Sequence, residues 1–207
     1  MRPSRRDLFI GMTASLVGAR AGFAAVATPP ATEGPFYPPQ WPKDHDADLV
    51  RVEAAVREAG GEILSLRGSV TEIDASPASG AAVEIWQCDA NGIYLHPRDP
   101  RVRGRDVAFQ GFGRVSADRD GRFAFRTILP VPYPGRTPHI HVRVLRGETL
   151  RLTTQLYIRD FPQNARDSQF RLLSAAERDL VSMVPVAAPP AAAAQWESEV
   201  RIVLPPV

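Results

Sequence analysis

Residues 107–128 read VAFQGFGRVSADRDGRFAFRTI, and the reading of this stretch decides the fold class. The run from Val107 to Ala117 has the texture of a strand, Asp118-Arg119-Asp120-Gly121 is a turn, and from Arg122 to Ile128 the residues Phe123 and Phe125 share one face of a second strand. Successive side chains of a strand alternate between its faces, and an Asp-Gly turn between two such runs predicts a β-hairpin. The same texture continues on both sides. Upstream, Ile63, Leu64, Leu66, Val70 and Ile73 form a strand-like run, residues 74–80 are turn-rich, and Ala82 to Cys88 alternates Val83, Ile85 and Gln87 against Glu84, Trp86 and Cys88 before the turn Asp89-Ala90-Asn91-Gly92. Downstream, Ile140 to Leu145 and Leu150 to Ile158 predict a second hairpin around Arg146-Gly147-Glu148, and residues 198–204 a final strand. Ser174-Ala175-Ala176-Glu177 has the capping-box pattern and predicts one short helix running to about Val184. Leu49, Val52 and Val56 within residues 46–59 fit a short helix or an irregular segment, and the Pro/Ala stretch 185–194 a loop. Twenty prolines and fifteen glycines in 207 residues suit short strands joined by many turns. The expectation is all-β: a two-sheet β-sandwich with one or two short helices and long loops, in a single domain over residues 28–207.

The first 27 residues are of another kind. Ser4-Arg5-Arg6-Asp7-Leu8-Phe9 is a twin-arginine pattern, an apolar run follows from Leu8 to Ala19, and Ala25-Val26-Ala27 is an A-x-A cleavage site. The apolar run is shorter than the roughly 20 residues that cross a bilayer. Residues 1–27 are therefore expected to be a cleaved twin-arginine signal, with no stable membrane anchor afterwards and a periplasmic or secreted mature protein. That route carries folded cargo, which raises the expectation of a cofactor inserted before export. The leader also explains the charge. Four arginines against one acid give residues 1–27 a net +3, so of the formal +2 of the whole chain the remainder carries −1. A near-neutral body argues against nucleic-acid binding, which needs a basic face to displace counterions. The single cysteine, Cys88, excludes an internal disulfide and reads as a small buried hydrophobe. Residues 28–45 are proline-rich and fit an extended arm lying across a domain surface.

His139-Ile140-His141 is the sharpest chemical signal. On a strand, residues i and i+2 point the same way, so both imidazoles can reach one metal ion. A cupin-type site would want a nearby carboxylate and a later histidine, but no histidine follows His141 and Glu148 falls too far along. Of the other histidines, His45 lies in the polar run Lys43-Asp44-His45-Asp46 and reads as solvated; His96 is the fourth. Further ligands must come from other residue types. Tyrosinate is a hard anionic oxygen donor that suits ferric iron, and the chain has Tyr37, Tyr94, Tyr133 and Tyr157. Tyr133 lies just before the histidines, in a loop that Pro134-Gly135 can turn over the site.

At these residues the chain resembles the intradiol ring-cleavage dioxygenases of the protocatechuate 3,4-dioxygenase type. The matching stretches are Thr32-Glu33-Gly34-Pro35-Phe36-Tyr37, Glu84-Ile85-Trp86-Gln87 through Gly92-Ile93-Tyr94, Pro132-Tyr133-Pro134, Arg136-Thr137-Pro138-His139-Ile140-His141 and Thr154-Gln155-Leu156-Tyr157, and the likeness covers roughly residues 30–205. The resemblance implies one mononuclear non-haem Fe(III) per chain, held by Tyr94, Tyr133, His139 and His141, with Tyr133 and His141 the axial pair. It implies that Arg136 stabilises charge on the reacting ring and that Gln155 and Tyr37 line the substrate. The reaction implied is O2-dependent cleavage of a catechol-type aromatic between its two hydroxylated carbons, giving a cis,cis-muconate-type diacid. Between Tyr133 and Arg136 only Pro134 and Gly135 intervene, whereas the aromatic-acid members have a much longer stretch there, so a more open pocket is expected. A monomer and a homodimer are both compatible with the sequence. The alternative is a non-catalytic extracytoplasmic binding module: Gly68-Ser69-Val70, Gly80-Ala81-Ala82-Val83 and Asp120 to Phe125 also resemble prealbumin-like β-sandwiches, which share the scaffold without the metal.

Overall fold

The computed structural model describes residues 26–53 and 55–207, so the expected leader lies, but for its last two residues, outside them. Among the described residues nine strands and one α-helix follow in the order β1 (Ile63–Thr71), β2 (Ala82–Trp86), β3 (Phe112–Ser116), β4 (Arg122–Ile128), β5 (His139–Arg146), β6 (Thr149–Ile158), α1 (Ala175–Leu180), β7 (Ser182–Met183), β8 (Val186–Ala187) and β9 (Trp196–Val203). They form a β-sandwich of two mixed sheets, β4-β1-β9-β8 and β3-β2-β5-β6-β7. The expected fold class is what the chain adopts. The core between the sheets follows the period-2 pattern: Leu64, Leu66 and Val70 on β1, Val83 and Ile85 on β2, Phe123 and Phe125 on β4, and Ile140, Val142 and Val144 on β5. The alternate residues of β2 and β5, among them Glu84, Trp86, His139 and His141, point to the other face of the second sheet, and they too are buried.

The cover over that face is the proline-rich arm, which is extended as expected. It is stitched down by Thr28 N to Val203 O (2.9 Å), Ala31 N to Thr153 O (2.8 Å), Thr154 Oγ1 to Pro29 O (2.8 Å) and Gln155 Nε2 to Thr32 O (3.0 Å). Farther on, the Tyr37 hydroxyl donates to Glu84 (3.0 Å), and Arg143 lies over the Tyr37 ring, 4.3 Å from its centroid.

The hairpin expected at 118–121 is not one. The turn itself closes, with Gly121 N bonded to Asp118 O (3.0 Å) and Asp118 N to Arg122 O (2.9 Å), and with the Asp118 carboxylate accepting from Asp120 N and Arg122 N. Its flanking strands then part. β3 pairs with β2 (Trp86↔Phe112 to Ala82↔Ser116), whereas β4 pairs with β1 (Ser69↔Arg122 to Ile63↔Ile128). The turn therefore bridges the two sheets. The strand expected from Val107 begins only at Phe112, and Val107 is exposed. The β5–β6 hairpin forms as read, around the two-residue turn Gly147-Glu148. The capping box is present, Ser174 accepting from Glu177 N and Glu177 from Ser174 N, but the helix ends at Leu180 rather than near Val184. There the sheet claims the chain: Tyr157 N bonds to Val181 O and Arg159 N to Met183 O, and β7 lies parallel to β6. The loop at 185–194 contains the short edge strand β8. Residues 46–53 are irregular; Leu49 N and Ala47 O bond to the Arg126 backbone at the open edge of β4. Among the described residues no helix is long and apolar enough to cross a membrane.

Candidate metal centre

The arm-covered face of the second sheet is built in cross-strand rows. His139 sits opposite Tyr157 on β6, and His141 lies between Trp86 on β2 and Gln155 on β6. The strand period puts both imidazoles on this face, where neighbouring rings fix them. His141 stacks on Trp86 (centroids 4.7 Å apart, planes 10° apart). Gly34 of the arm, with φ of +73°, passes so close that a side chain there would have its Cβ 3.4 Å from His141 Cε1. His139 Nδ1 lies 2.7 Å from Thr137 O. A carbonyl only accepts, so Nδ1 carries the proton and Nε2 its lone pair. That Nε2 lies 3.2 Å from His141 Nε2. Two ring nitrogens thus converge on one point.

Loops bring in the two tyrosines. Tyr94 follows the turn at 89–92, where Asp89 Oδ1 accepts from Asn91 N and Ile93 N, and its backbone N donates to Asp99 (3.0 Å). Its ring is buried, stacked on Phe36 (4.5 Å) and edge-on to Tyr133 (5.3 Å). Tyr133 in turn lies 5.5 Å from the His139 ring, and Tyr94 6.2 Å from His141. The tight Pro134-Gly135 turn, closed by Arg136 N to Tyr133 O (2.9 Å), holds Tyr133 and Arg136 side by side. Arg136 Nη1 lies 3.4 Å from the Tyr133 hydroxyl and Nη2 donates to Gln155 Oε1 (2.6 Å), which also accepts from the Tyr157 hydroxyl (2.8 Å).

The electrostatics fit a cation at the centre. Burial first, and the Arg136 charge second, push His139 down to about 4 and keep it neutral. His141 is driven well below its ordinary value by burial, by His139 and by Arg136. Burial raises both phenols, Tyr94 most strongly, with Tyr133 adding to it, while Arg136 partly offsets the rise at Tyr133. The buried Tyr94 hydroxyl has no hydrogen-bond partner among the described residues, which is costly for a polar group unless something else meets it. Two neutral imidazoles with convergent Nε2 atoms beside two phenols, one of them without a partner, form a site that a hard cation would complete, since a bound cation reverses the local preference and ionises the phenols. No group of three or more His, Cys, Asp and Glu side chains among the described residues could hold a metal, and the side chains packed against the histidine pair include Tyr94 and Tyr133.

Six of the seven residues singled out in the sequence are thus brought together: Tyr94, Tyr133, Arg136, His139, His141 and Gln155. Tyr37 is placed elsewhere in the cover, edge-on to Trp86 and Phe112 with its hydroxyl on Glu84. The His45 ring bonds through Nδ1 to the nearby carbonyls of Pro42 and Lys43. Cys88 is buried, its thiol pushed up to about 12 mainly by burial. Asp167 escaped the sequence reading. Its buried carboxylate accepts from Arg136 Nε (2.8 Å) and Thr137 N (2.9 Å), and nothing in the spacing announces it. A cavity of about 440 Å³ opens beside the centre, lined by Tyr133, Arg136, Thr137, Gln163, Arg166 and Asp167.

Comparison with known proteins agrees with this geometry. Residues 32–201 match the family described as Dioxygenase. The protocatechuate 3,4-dioxygenase beta chain of Burkholderia cepacia is 35% identical over 147 residues, 67% of this chain and 61% of that one. The 6-chlorohydroxyquinol 1,2-dioxygenase of Cupriavidus pinatubonensis is 41% identical over 108 residues, 52% of this chain and 35% of that one. The chain thus spans less than two thirds of the length of these curated relatives. Among solved structures, the dioxygenase domain of a dioxygenase carbohydrate-binding protein fusion from Streptomyces sp. SirexAA-E superimposes with a TM-score of 0.66 at 31% identity, covering 86% of this chain and 98% of that one.

Proposed function

From the premise that this chain belongs to the dioxygenase family of intradiol ring-cleaving enzymes, we propose that it is a ferric intradiol dioxygenase acting on a catechol-type substrate. The observation that carries the proposal is that the Nε2 atoms of His139 and His141 lie 3.2 Å apart with the rings of Tyr94 and Tyr133 packed against them. These four residues would hold one Fe(III) per chain. The chemistry such an iron supplies when bound is chelation of the catecholate oxygens and its redox activation towards dioxygen. Overall, the bond between the two hydroxylated carbons breaks and both atoms of O2 enter the diacid product.

The protein's own groups supply the rest. Tyr133 stands on a short turn beside the cavity, where its oxygen, as the phenolate that would hold the iron, could take up a proton released by the catechol. Arg136 faces that oxygen and stabilises negative charge developing on the ring. Gln155 fixes Arg136 on one side and Tyr157 on the other, and its own amide ties the arm down at Thr32. The arm, with Phe36 stacked on Tyr94, keeps water from that side of the centre. Because only Pro134 and Gly135 separate Tyr133 from Arg136, the wall beside the cavity is low, and a catechol carrying a ring substituent is the class that fits. We also propose that residues 1–27 export the protein by the twin-arginine route to the periplasm or beyond.

The test is the visible spectrum of iron-replete protein before and after anaerobic addition of catechol, followed by oxygen uptake. A tyrosinate-to-iron charge-transfer band that moves on adding catechol, with one O2 consumed per ring, is expected. A protein that stays colourless with added iron overturns the reading and returns the chain to the binding-module class.

A further inference from the structure

Asp167 lies 31 residues beyond Arg136 in sequence and immediately beyond the 3-10 turn Pro162–Arg166. Its side chain is fully buried, and both of its oxygens are engaged twice. Oδ1 accepts from Gln169 N and Phe170 N, both at 2.9 Å, which anchors the carboxylate to its own loop. Oδ2 reaches across to the segment that leads into β5, accepting from Arg136 Nε at 2.8 Å and Thr137 N at 2.9 Å. The neighbouring Asn164 reinforces the junction: its Oδ1 accepts from Thr137 Oγ1 (2.7 Å) while its amide donates to Ile158 O (2.9 Å). Residue 137 is thus clamped from one loop, and its own carbonyl is the acceptor that sets the protonated nitrogen of His139.

A guanidinium offers five N–H groups in a rigid plane. With Nε on Asp167 and Nη2 on Gln155, two points of that plane are fixed, and the edge carrying Nη1 is left turned towards Tyr133 and the cavity. Gln155 alone would leave the plane free to pivot about one contact. We propose that Asp167 is a positioning residue for the reaction, holding the Arg136 guanidinium in the plane from which it meets the substrate. This rests on the function proposed above. All four contacts of the Asp167 carboxylate are to protein N–H groups, so it acts through Arg136. An asparagine there would present an amide N–H₂ to one of the two pairs of N–H donors, so at least one pair loses its acceptor.

The experiment has an arm that needs neither iron nor turnover. In metal-free protein labelled with 15N, the Arg136 Nε–H resonance, assigned by its loss in Arg136→Lys, is expected to exchange slowly with solvent, and in Asp167→Asn to exchange rapidly. An Nε–H in the unaltered protein that exchanges as fast as those of exposed arginines overturns the proposal without any variant at Asp167. The second arm is a kinetic cycle on the iron-loaded enzyme with catechol. Asp167→Asn is expected to lower kcat roughly tenfold to a hundredfold with KM changed less than about threefold, and the resting charge-transfer band is expected to stay in place. In an Arg136→Leu background the same substitution is expected to have no further effect on kcat. Equal losses in both backgrounds, or a displaced resting band, mean that Asp167 only supports the fold, and the proposal falls. Should Asp167→Asn not fold, Asp167→Glu, which keeps the charge and moves it by one methylene, takes its place in the cycle with the same expected direction. An active parent whose Asp167 variants match it overturns this assignment alone; a parent that neither binds iron nor cleaves catechol overturns the functional reading and this assignment together.

Discussion

The guanidinium of Arg136 is charged, half-enclosed and shared among three partners: Asp167, Gln155 and Tyr133. Burial opposes its charge most strongly, yet the bonded Asp167 together with Tyr133 and Tyr157 offsets burial and holds its pKa above the ordinary value. A cation held this firmly beside the cavity acts on charge that develops in the reaction, because its orientation is settled beforehand. Replacing Arg136 by leucine should therefore lower kcat by about 10²–10³-fold while leaving iron content and the resting spectrum in place; a variant with full oxygen uptake removes the role. His139→Ala should do the reverse, and elemental analysis should find iron well below one per chain, since one of the two convergent ring nitrogens is gone. Stoichiometric iron in that variant would sink the donor set. How far these residues were legible follows from the same geometry. The histidine pair is readable because a strand repeats every two residues. Tyr133 was readable from its Pro-Gly loop just before the histidines, whereas Tyr94, carried in by a separate loop, was picked out only by the family resemblance. Tyr37 shares the motif with Phe36 but is drawn off by the buried Glu84 and by Arg143. Asp167 is invisible in sequence because its partnership with Arg136 exists only after two loops have met.

At the scale of elements, local chemistry was legible and pairing was not. Asp118 to Gly121 makes the turn its residues demand, yet a turn of this kind does not say which sheet will receive the strand that leaves it. Here the Gly121 carbonyl accepts from Val70 N, at the end of the β1–β4 ladder, while Ala117 N bonds to Ala81 O beside β2. The two strands belong to different sheets because each finds its hydrogen-bond partner elsewhere. In the same way the capping box fixed where α1 starts, and the free edge of β6 decided where it ends. The sheet-to-sheet turn makes a prediction of its own. Gly121 has φ of +75°, and a Cβ there would lie 2.4 Å from the Val70 carbonyl oxygen and 3.3 Å from Ala78 N. Gly121→Ala thus combines left-handed backbone strain with a backbone collision that no rotamer relieves. It should destabilise the fold by at least about 1–3 kcal/mol. At Gly80, with φ of +72°, a Cβ would meet nothing within 4 Å, so only the strain applies, and Gly80→Ala should lose less. Denaturant midpoints of the two variants decide the matter: equal losses would mean that the close approach at Gly121 relaxes freely.

For the molecule as a whole, the arm joins the export question to the site. Thr28 is buried, its N–H on Val203 O and its hydroxyl accepting from Val203 N, so the chain is pinned from the first residue after the expected cleavage point. Protein recovered from outside the cytoplasm should begin close to Thr28 on N-terminal sequencing, and one beginning at Met1 would remove the leader. The buried histidines give the whole fold a pH dependence whose sign can be worked out for the metal-free protein. All three of them, His96, His139 and His141, titrate below their ordinary value in the folded state, His139 at about 4, against about 6.5 when unfolded. Between those values the unfolded chain binds protons that the folded chain refuses, so stability falls as pH drops from about 6.5 towards about 4. The carboxylates held low by hydrogen bonds, Asp99, Asp106 and Asp167, push the same way but only once pH nears the unfolded carboxylate value of about 3.9. The interval from pH 7 to pH 5 therefore isolates the histidines. His139 alone should cost about 2 kcal/mol at pH 5 relative to pH 7. Urea unfolding at the two pH values should show that loss in the metal-free protein and a visibly smaller one in His139→Gln. Equal losses in both would mean that the imidazole is solvated in the folded protein, and the enclosed centre on which the functional reading stands would have to be opened.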